Sequence, residues 1–280
     1  FASVASARTI YVPDDYAKIQ WAVDNASAGD TIIVRDGIYY ESVTVSKQLT
    51  IKSENGSDNC IVNGTGSDVF TLIADGIRIE GFTITGGRYG ICIRSNNNTI
   101  INNNISSNNY DGILLDFSNN NSISNNNISN NAVGINLWDS NNNSISNNNI
   151  SSNRWDGIFL YSSNNNITSN NIISNNGCGI DLCDSNNNSI SDNIISSNGY
   201  GIYLRYSNNN SISNNEFIND GLFVEYSYGN IVEDNTVNGK PLVYLEGESD
   251  EFIYDAGQVI LVKCKNITVM NSELTNTDVG

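Results

Sequence analysis

Apolar and polar positions along this chain follow a pattern that returns at a fixed interval. Glycines at Gly90, Gly112, Gly134, Gly157, Gly179 and Gly201 recur every 22 residues, with one interval of 23 between Gly134 and Gly157. Each is followed by two large aliphatics separated by a variable residue, such as Ile113 and Leu115 or Ile135 and Leu137. Single isoleucines then sit inside short Ser/Asn stretches, as at Ile123 and Ile128 or Ile145 and Ile150. Alternation with period two is strand geometry. The repeat nowhere shows apolar spacing of 3.6, and Asn, Ser and Gly at this density are poor helix formers. A period of this length marks a stacked-repeat protein. A leucine-rich repeat has a similar period but needs a convex helix, and nothing in the repeat supports one. Three short strands per turn, coiling so that equivalent strands stack in parallel, fit the pattern. Ile123, Ile145, Ile167 and Ile190 are expected to form one inward column.

Asparagine accounts for the corners. The chain holds 52 Asn in 280 residues, many in runs such as Asn141 to Asn143 and Asn147 to Asn149. Asn tolerates the left-handed backbone of a sharp corner, and identical amides on stacked rungs can hydrogen-bond as ladders. The amide-bearing corners are expected outside the aliphatic column. A disordered low-complexity tract is the alternative, but periodic Ile and Leu are not a disorder signature.

Outside the repeat the pattern is less regular. Residues 8 to 12 predict a first strand, Pro13, Asp14 and Asp15 supply helix-start chemistry, and Tyr16 to Ala26 predicts the one helix, with Ile19, Ala22, Val23 and Ala26 on its apolar side. Such a helix would cover the first rung, whose bare edge otherwise invites aggregation. Residues 1 to 30 thus read as strand and cap, and 31 to 280 as the solenoid, most regular over about 90 to 219. A stretch from Asn238 to Gly257, with Pro241, reads as an insertion. The closing Asn276-Thr277-Asp278-Val279-Gly280 matches the residues that begin a unit elsewhere, so the C-terminal end reads as uncapped: a fragment, or a subunit covered by a neighbour.

Composition narrows the function. The net charge is −17, from few charges overall, and there is no His. Such a surface repels phosphate backbones, which argues against nucleic acid. No apolar run is long enough for a spanning helix. The opening FASVASA ends in Ala5-Ser6-Ala7, the small-x-small pattern before signal-peptidase cleavage, and reads equally as signal-peptide remnant or mature strand. Export suits this composition. Of the five Cys, Cys178 and Cys183 flank one strand, too far apart to bridge. Cys60, Cys92 and Cys264 fall in different columns, and no CxxC pair supports zinc.

Several features bear on chemistry. Asp111 with Asp116, Asp156, and Asp181 with Asp184, beside Arg154 and Arg205, are the acid/base inventory for polysaccharide cleavage. Asp111 and Asp156 both directly precede a repeat glycine. The Asn-Thr-Asp, Asp-Asp, Gly-His-Gly and Asp-Pro-His signatures of such enzymes are absent, and solvated turn carboxylates are the expectation, so no catalytic residue is assigned. Tyr89, Tyr110, Trp155 and Tyr200 precede the repeat glycine, with Trp138, Tyr161 and Tyr206 just past the first strand. They form either a lateral face for sugars or a partner, or a cover for the sheet. Asp139 and Asp184 are the nearest approach to a Ca²⁺ site, without a DxDxDG loop; no cofactor is assigned. Asn97, Asn120, Asn142, Asn187 and Asn209 lie in N-glycosylation sequons on one recurrent turn. Asn104, Asn127 and Asn149 precede inward isoleucines and are expected to serve ladders.

The opening TIYVPDDYAKIQWAVDNASAGDTIIVRDGIYYESVTVSKQLTI, the GIxLxxSNNNSISNN units and the stretch from NGKPLVYLEGESD to KNITV resemble archaeal cell-surface right-handed parallel β-helix proteins. These are related to NosD-like periplasmic proteins and to S-layer-associated and surface-antigen proteins. The resemblance implies an all-β chain, a right-handed parallel β-helix of about ten rungs, roughly 50 Å long at ~4.8 Å per rung, with a short N-terminal capping helix. It specifies the fold more than the function. NosD relatives are associated with copper delivery, but a chain with no His and one Met, Met270, has no soft site to offer. The reading that follows is an extracellular, non-catalytic structural protein, self-associating end-to-end or side-by-side, as a coat, S-layer-associated or filament subunit. A polysaccharide-binding module, or a lyase or hydrolase using the lateral face, is the alternative.

Overall fold

In a computed structural model, described over residues 7–277, the chain coils into a right-handed β-solenoid. Ser6 and its predecessors, and Asp278 to Gly280, lie outside the described residues, and with them most of the small-x-small motif and the end of the closing phrase. One representative turn holds strands Ile135–Trp138, Ser144–Ser146 and Asn149–Ser151. Equivalent strands stack in parallel into three sheets of nine, eleven and twelve strands, here called sheets 1, 2 and 3 in that order of the turn.

Inward side chains form one long, largely aliphatic core. In sheet 2 the register stacks Ile79, Ile100, Ile123, Ile145, Thr168, Ile190 and Ile212. Ile167 is not in this column. It stands next to Thr168, half-exposed, and Thr168 fills the inward place. The reason is register: Thr168 lies eleven residues after its repeat glycine, as do Ile123 and Ile145, whereas Ile167 lies ten. A one-residue offset puts a strand residue on the opposite face.

The corners are not outside the core. Each turn bends at residues with positive φ, as at Asp139 (φ 48), Asn142 (φ 58), Asn147 (φ 56) and Ser152 (φ 58), and each is followed by a buried polar residue: Ser140, Asn143, Asn148 and Asn153. These buried residues form axial ladders. Asn98, Asn121, Asn143, Asn166, Asn188, Asn210 and Asn230 pass Nδ2-to-Oδ1 hydrogen bonds from rung to rung at 2.9–3.2 Å. A second ladder runs from Asn103 to Asn235, and a third from Asn108 to Asn198, ending on the carboxylate of Asp220. Buried amides cost little once paired, so asparagine supplies the exposed left-handed residue and the enclosed one beside it. The expected ladder at Asn104, Asn127 and Asn149 also exists, on the outer surface, at 3.3 and 3.2 Å.

The repeat glycine is required by close approach. A Cβ on Gly134 would stand 2.4 Å from the carbonyl oxygen of Gly157 and 2.7 Å from Ile150 Cγ2, with backbone on one side that has no freedom to move.

At the N-terminal end the helix spans Ile19–Asn25, shorter than the predicted Tyr16 to Ala26, and packs on strands Thr9–Val12, Thr31–Val34 and Val43–Val45. Pro13 to Asp15 form a turn instead of its first residues; Asp15 accepts from the Tyr11 N–H and Asp14 pairs with Arg35. The helix's free N–H groups at Ile19 and Gln20 are satisfied from the next rung, by the Glu41 carboxylate. In the Asn238-to-Gly257 stretch, Lys240–Glu246 pairs antiparallel with Thr236–Val237 and then parallel with Gln258–Val262, continuing sheet 3.

Candidate functional site

The outward side of sheet 1 collects most of the chemistry. Two outward columns run up it. The one two residues past the repeat glycine holds Cys92, Leu114, Asn136, Phe159, Asp181, Tyr203 and Phe223. The one four residues past holds Arg94, Asp116, Trp138, Tyr161, Cys183, Arg205 and Glu225. The position just before the repeat glycine adds Asp111, in the turn leading into sheet 1, and Asp156, the first residue of strand Asp156–Tyr161.

Three of these carboxyl groups are not solvated turn residues. Asp111 is only 6% exposed, Asp181 is equally buried, and Asp156 is half-buried. Burial disfavours the charged form and pushes the Asp111 carboxyl up to about 6, opposed by a hydrogen bond from Asn136 Nδ2 to Oδ2 at 3.0 Å. Burial and then the charge of Asp181 push Asp156 up to about 7, against the pull of Arg205. Burial raises Asp181 as well, opposed by Arg205, whose Nη2 donates to Oδ2 at 2.9 Å. Asn136 Oδ1 is buried and accepts no hydrogen bond among the described residues. Asp116 instead pairs with Arg94 at 2.9 Å, and Asp184 stands exposed at a corner. The sequence thus brings Asp111, Asp156 and Asp181 onto one face with Asn136 and Arg205, and leaves Asp116 and Asp184 outside the group. Asn136 carried no motif; its place two residues after a repeat glycine, in the column of Asp181, was the available signal.

The aromatics fall into four groups rather than one continuous surface. Tyr110 and Trp155 occupy the same turn position two rungs apart, half-exposed. Trp138 and Tyr161 pack against each other at the far end of the strands, tilted at 36° with centroids 4.6 Å apart. Tyr200 joins Tyr203 and Phe223, with centroids 5.4–5.5 Å away. Tyr206 stacks separately on Tyr226.

Asp139 and Asp184 take the same left-handed corner as Phe117, Ser162 and Tyr206, so the fold and not a ligand sets their conformation. Among the described residues no group of three or more His, Cys, Asp or Glu side chains is placed to hold a metal ion. Asn97, Asn120, Asn142, Asn187 and Asn209 are all exposed at left-handed corners of one column (φ 56–59).

Known proteins place this geometry. The sequence profile described as the right handed beta helix region matches residues 60–217. The chain belongs to the right-handed β-helix family. A second profile, described as periplasmic copper-binding protein (NosD), matches residues 180–280 of this β-helix chain. A cell surface glycoprotein of Methanothermus fervidus is 38% identical over 111 residues, 38% of this chain and 18% of that protein; the chain therefore spans under a fifth of that relative's length. Among solved structures, an alginate lyase from Paenibacillus sp. superposes with a TM-score of 0.64 at 19% identity, over 95% of this chain and 99% of that one. Geobacillus virus E2 ORF18 superposes at 0.69 and 15%, over 95% and 61%. Pectate lyase Pel9A does so at 0.60 and 15%, over 98% and 80%. At these identities the likeness is one of fold.

Copper does not fit the residues of this β-helix. Within 180–280 the soft donors are Cys183, Cys264 and Met270. Cys264 Sγ faces the carbonyls of Leu245 and Val262 at 3.3 and 3.4 Å, Met270 is exposed on strand Thr268–Met270, and Cys183 lies beside Asp184.

Proposed function

We propose that this β-helix is a non-catalytic structural part of an exported cell-surface protein, associating through its sides or ends. The observation that carries this reading is the 38% identity to a protein named a cell surface glycoprotein. It is supported by the use of the polar interior: three amide ladders and a serine ladder hold rung to rung, which suits a rod that bears load or spaces its neighbours. Exposed aliphatics on the flank, Ile172 and Ile194, adjacent in register, support side-by-side contact. The exposed sequon column suits a glycosylated surface.

Electron microscopy of the purified protein and of the native cell surface tests this. Ordered fibres or sheets, and antibody labelling at the cell exterior, are expected; particles that stay monodisperse at 30.5 kDa at every concentration, with no surface labelling, would sink it.

One observation favours a second reading. Carboxyl groups that burial raises toward neutrality, to about 6 at Asp111 and about 7 at Asp156, suit general acid catalysis of glycan cleavage. That reading requires saturable turnover of a polysaccharide, lost in Asp156→Asn.

A further inference from the structure

We propose that the recess bordered by Tyr110 and Trp155 is a glycan-binding site that clamps one pyranose ring. The recess arises from turn length. Between the buried ladder residue and the repeat glycine, the turns Asn109-Tyr110-Asp111 and Arg154-Trp155-Asp156 hold three residues, whereas the turn between them holds two, Ala132 and Val133. The register stacks the middle positions on consecutive rungs: the Ala132 N–H donates to the Tyr110 carbonyl at 2.7 Å, and the Trp155 N–H to the Ala132 carbonyl at 2.8 Å. The aromatic side chains therefore spring from backbones two strand spacings apart, about 9.5 Å, with a methyl group as the floor. The space is about 520 Å³, within the size range of small-molecule sites.

Its chemistry selects the ligand. Tyr110 and Trp155 are 51% and 52% exposed. The Tyr110 ring is backed by Tyr89 at 5.8 Å, and Tyr89 in turn by the Arg88 guanidinium at 4.7 Å, so that wall is in place before anything binds. A ring touching both walls at about 3.5–4 Å needs them about 7–8 Å apart, and the pucker of a sugar chair takes up most of the remainder. The polar lining consists of amides, among them Asn109 and Asn130, and the Arg154 guanidinium. No carboxylate lines the recess, in a chain of net charge −17. Amides and a guanidinium offer donors and acceptors to ring hydroxyls, while the C–H faces of a pyranose meet the aromatic rings. A wholly apolar ligand would leave the amides unpaired, and a cation would meet Arg154. A neutral or carboxylated pyranose satisfies every group. The walls Tyr110 and Trp155 directly precede Asp111 and Asp156, which do not themselves line the recess, and the proposal does not rest on the surface-protein reading.

The test is titration of the full chain with cellohexaose, N-acetylchitohexaose and trigalacturonate, followed by tryptophan fluorescence and calorimetry. At least one probe should bind saturably. Trp155→Ala and Arg154→Ala should each weaken it about tenfold, and Ala132→Leu, which fills the floor, should abolish it. Trp138→Ala, at the far end of the strands, should leave the affinity unchanged. Circular dichroism checks each variant, and replacing the exposed Arg154 should leave the fold intact. The proposal is overturned if none of the three probes binds up to about 10 mM, or if Arg154→Ala and Trp155→Ala bind as the parent does.

Discussion

Two donors of Asn148 meet one acceptor of Asn171 on the next rung: Asn171 Oδ1 takes the backbone N–H of Asn148 at 2.9 Å and its side-chain Nδ2 at 3.0 Å. Asn171 in turn donates to the Ile145 carbonyl and to Asn193 Oδ1, both at 3.0 Å. Truncation in Asn171→Ala strands donors and acceptors on three rungs. At about 1–3 kcal/mol for each buried group left unpaired, a loss of about 3–5 kcal/mol is expected. Asn170, its immediate neighbour, is exposed at φ +55. Asn170→Gly should stay within about 0.5 kcal/mol, because glycine adopts that backbone freely. Urea midpoints followed by circular dichroism compare the two; equal effects would remove the ladder account.

Stability should fall as the pH rises from about 4 to about 7. Asp111 and Asp156 have folded-state values raised to about 6 and about 7, above the ordinary 3.8. The folded chain therefore binds more protons than the unfolded chain between these limits, and the slope of stability with pH is negative there. Their contribution is intact below about pH 4 and lost by about pH 7. For the buried Asp111 the shift corresponds to about 3 kcal/mol. Asp30 acts in the opposite sense: N–H donors from Arg8 and Ser27 hold it low, so its effect is lost only as the pH drops below the ordinary carboxylate range. Thermal melts from pH 4.5 to 8 should show the decline, and Asp111→Asn with Asp156→Asn should flatten it.

Side-by-side association should depend on Ile172 and Ile194, which are 49% and 40% exposed and adjacent in register. The same outer column carries Asn127, Asn149 and Glu216 on other rungs, so a polar residue is accommodated there. The double change Ile172→Asp, Ile194→Asp should leave the fold unaltered and move self-association to higher protein concentration in sedimentation velocity. An unchanged association profile would place the contact elsewhere.

Glycans, where present on protein isolated from its own cells, should map to the exposed column of Asn97, Asn120, Asn142, Asn187 and Asn209. Asn166 also lies in a sequon, Asn166-Ile167-Thr168, but it is buried and its Nδ2 donates to Asn188 Oδ1 at 3.2 Å and to the Ser140 carbonyl at 3.1 Å. Peptide mapping that found Asn166 modified and the column bare would contradict the assignment.

The period of the glycines, with paired aliphatics behind each, was enough to read three strands per turn and parallel stacking. Both depend on contacts that repeat with the sequence. The column at Ile123 was legible too, and counting from the repeat glycine would have found Thr168 in place of Ile167. The helix boundary was misread because its N-terminus is capped by Glu41 from a later rung, a partner that local helix-start chemistry does not reveal.

Three consecutive asparagines such as Asn141, Asn142 and Asn143 are identical as letters, yet they are half-buried, exposed at a left-handed corner, and enclosed in a ladder. Which is which depends on where the coil bends. The same holds for Asp111 and Asp156, whose burial comes from neighbouring turns 22 or 23 residues away in the chain, and for the Tyr110–Trp155 recess, which exists only because a shorter turn lies between them. Periodicity alone determined the fold, because a repeated apolar pattern can be buried in few ways. The site depended on tertiary structure, because desolvation and cleft shape are set by residues on adjacent rungs.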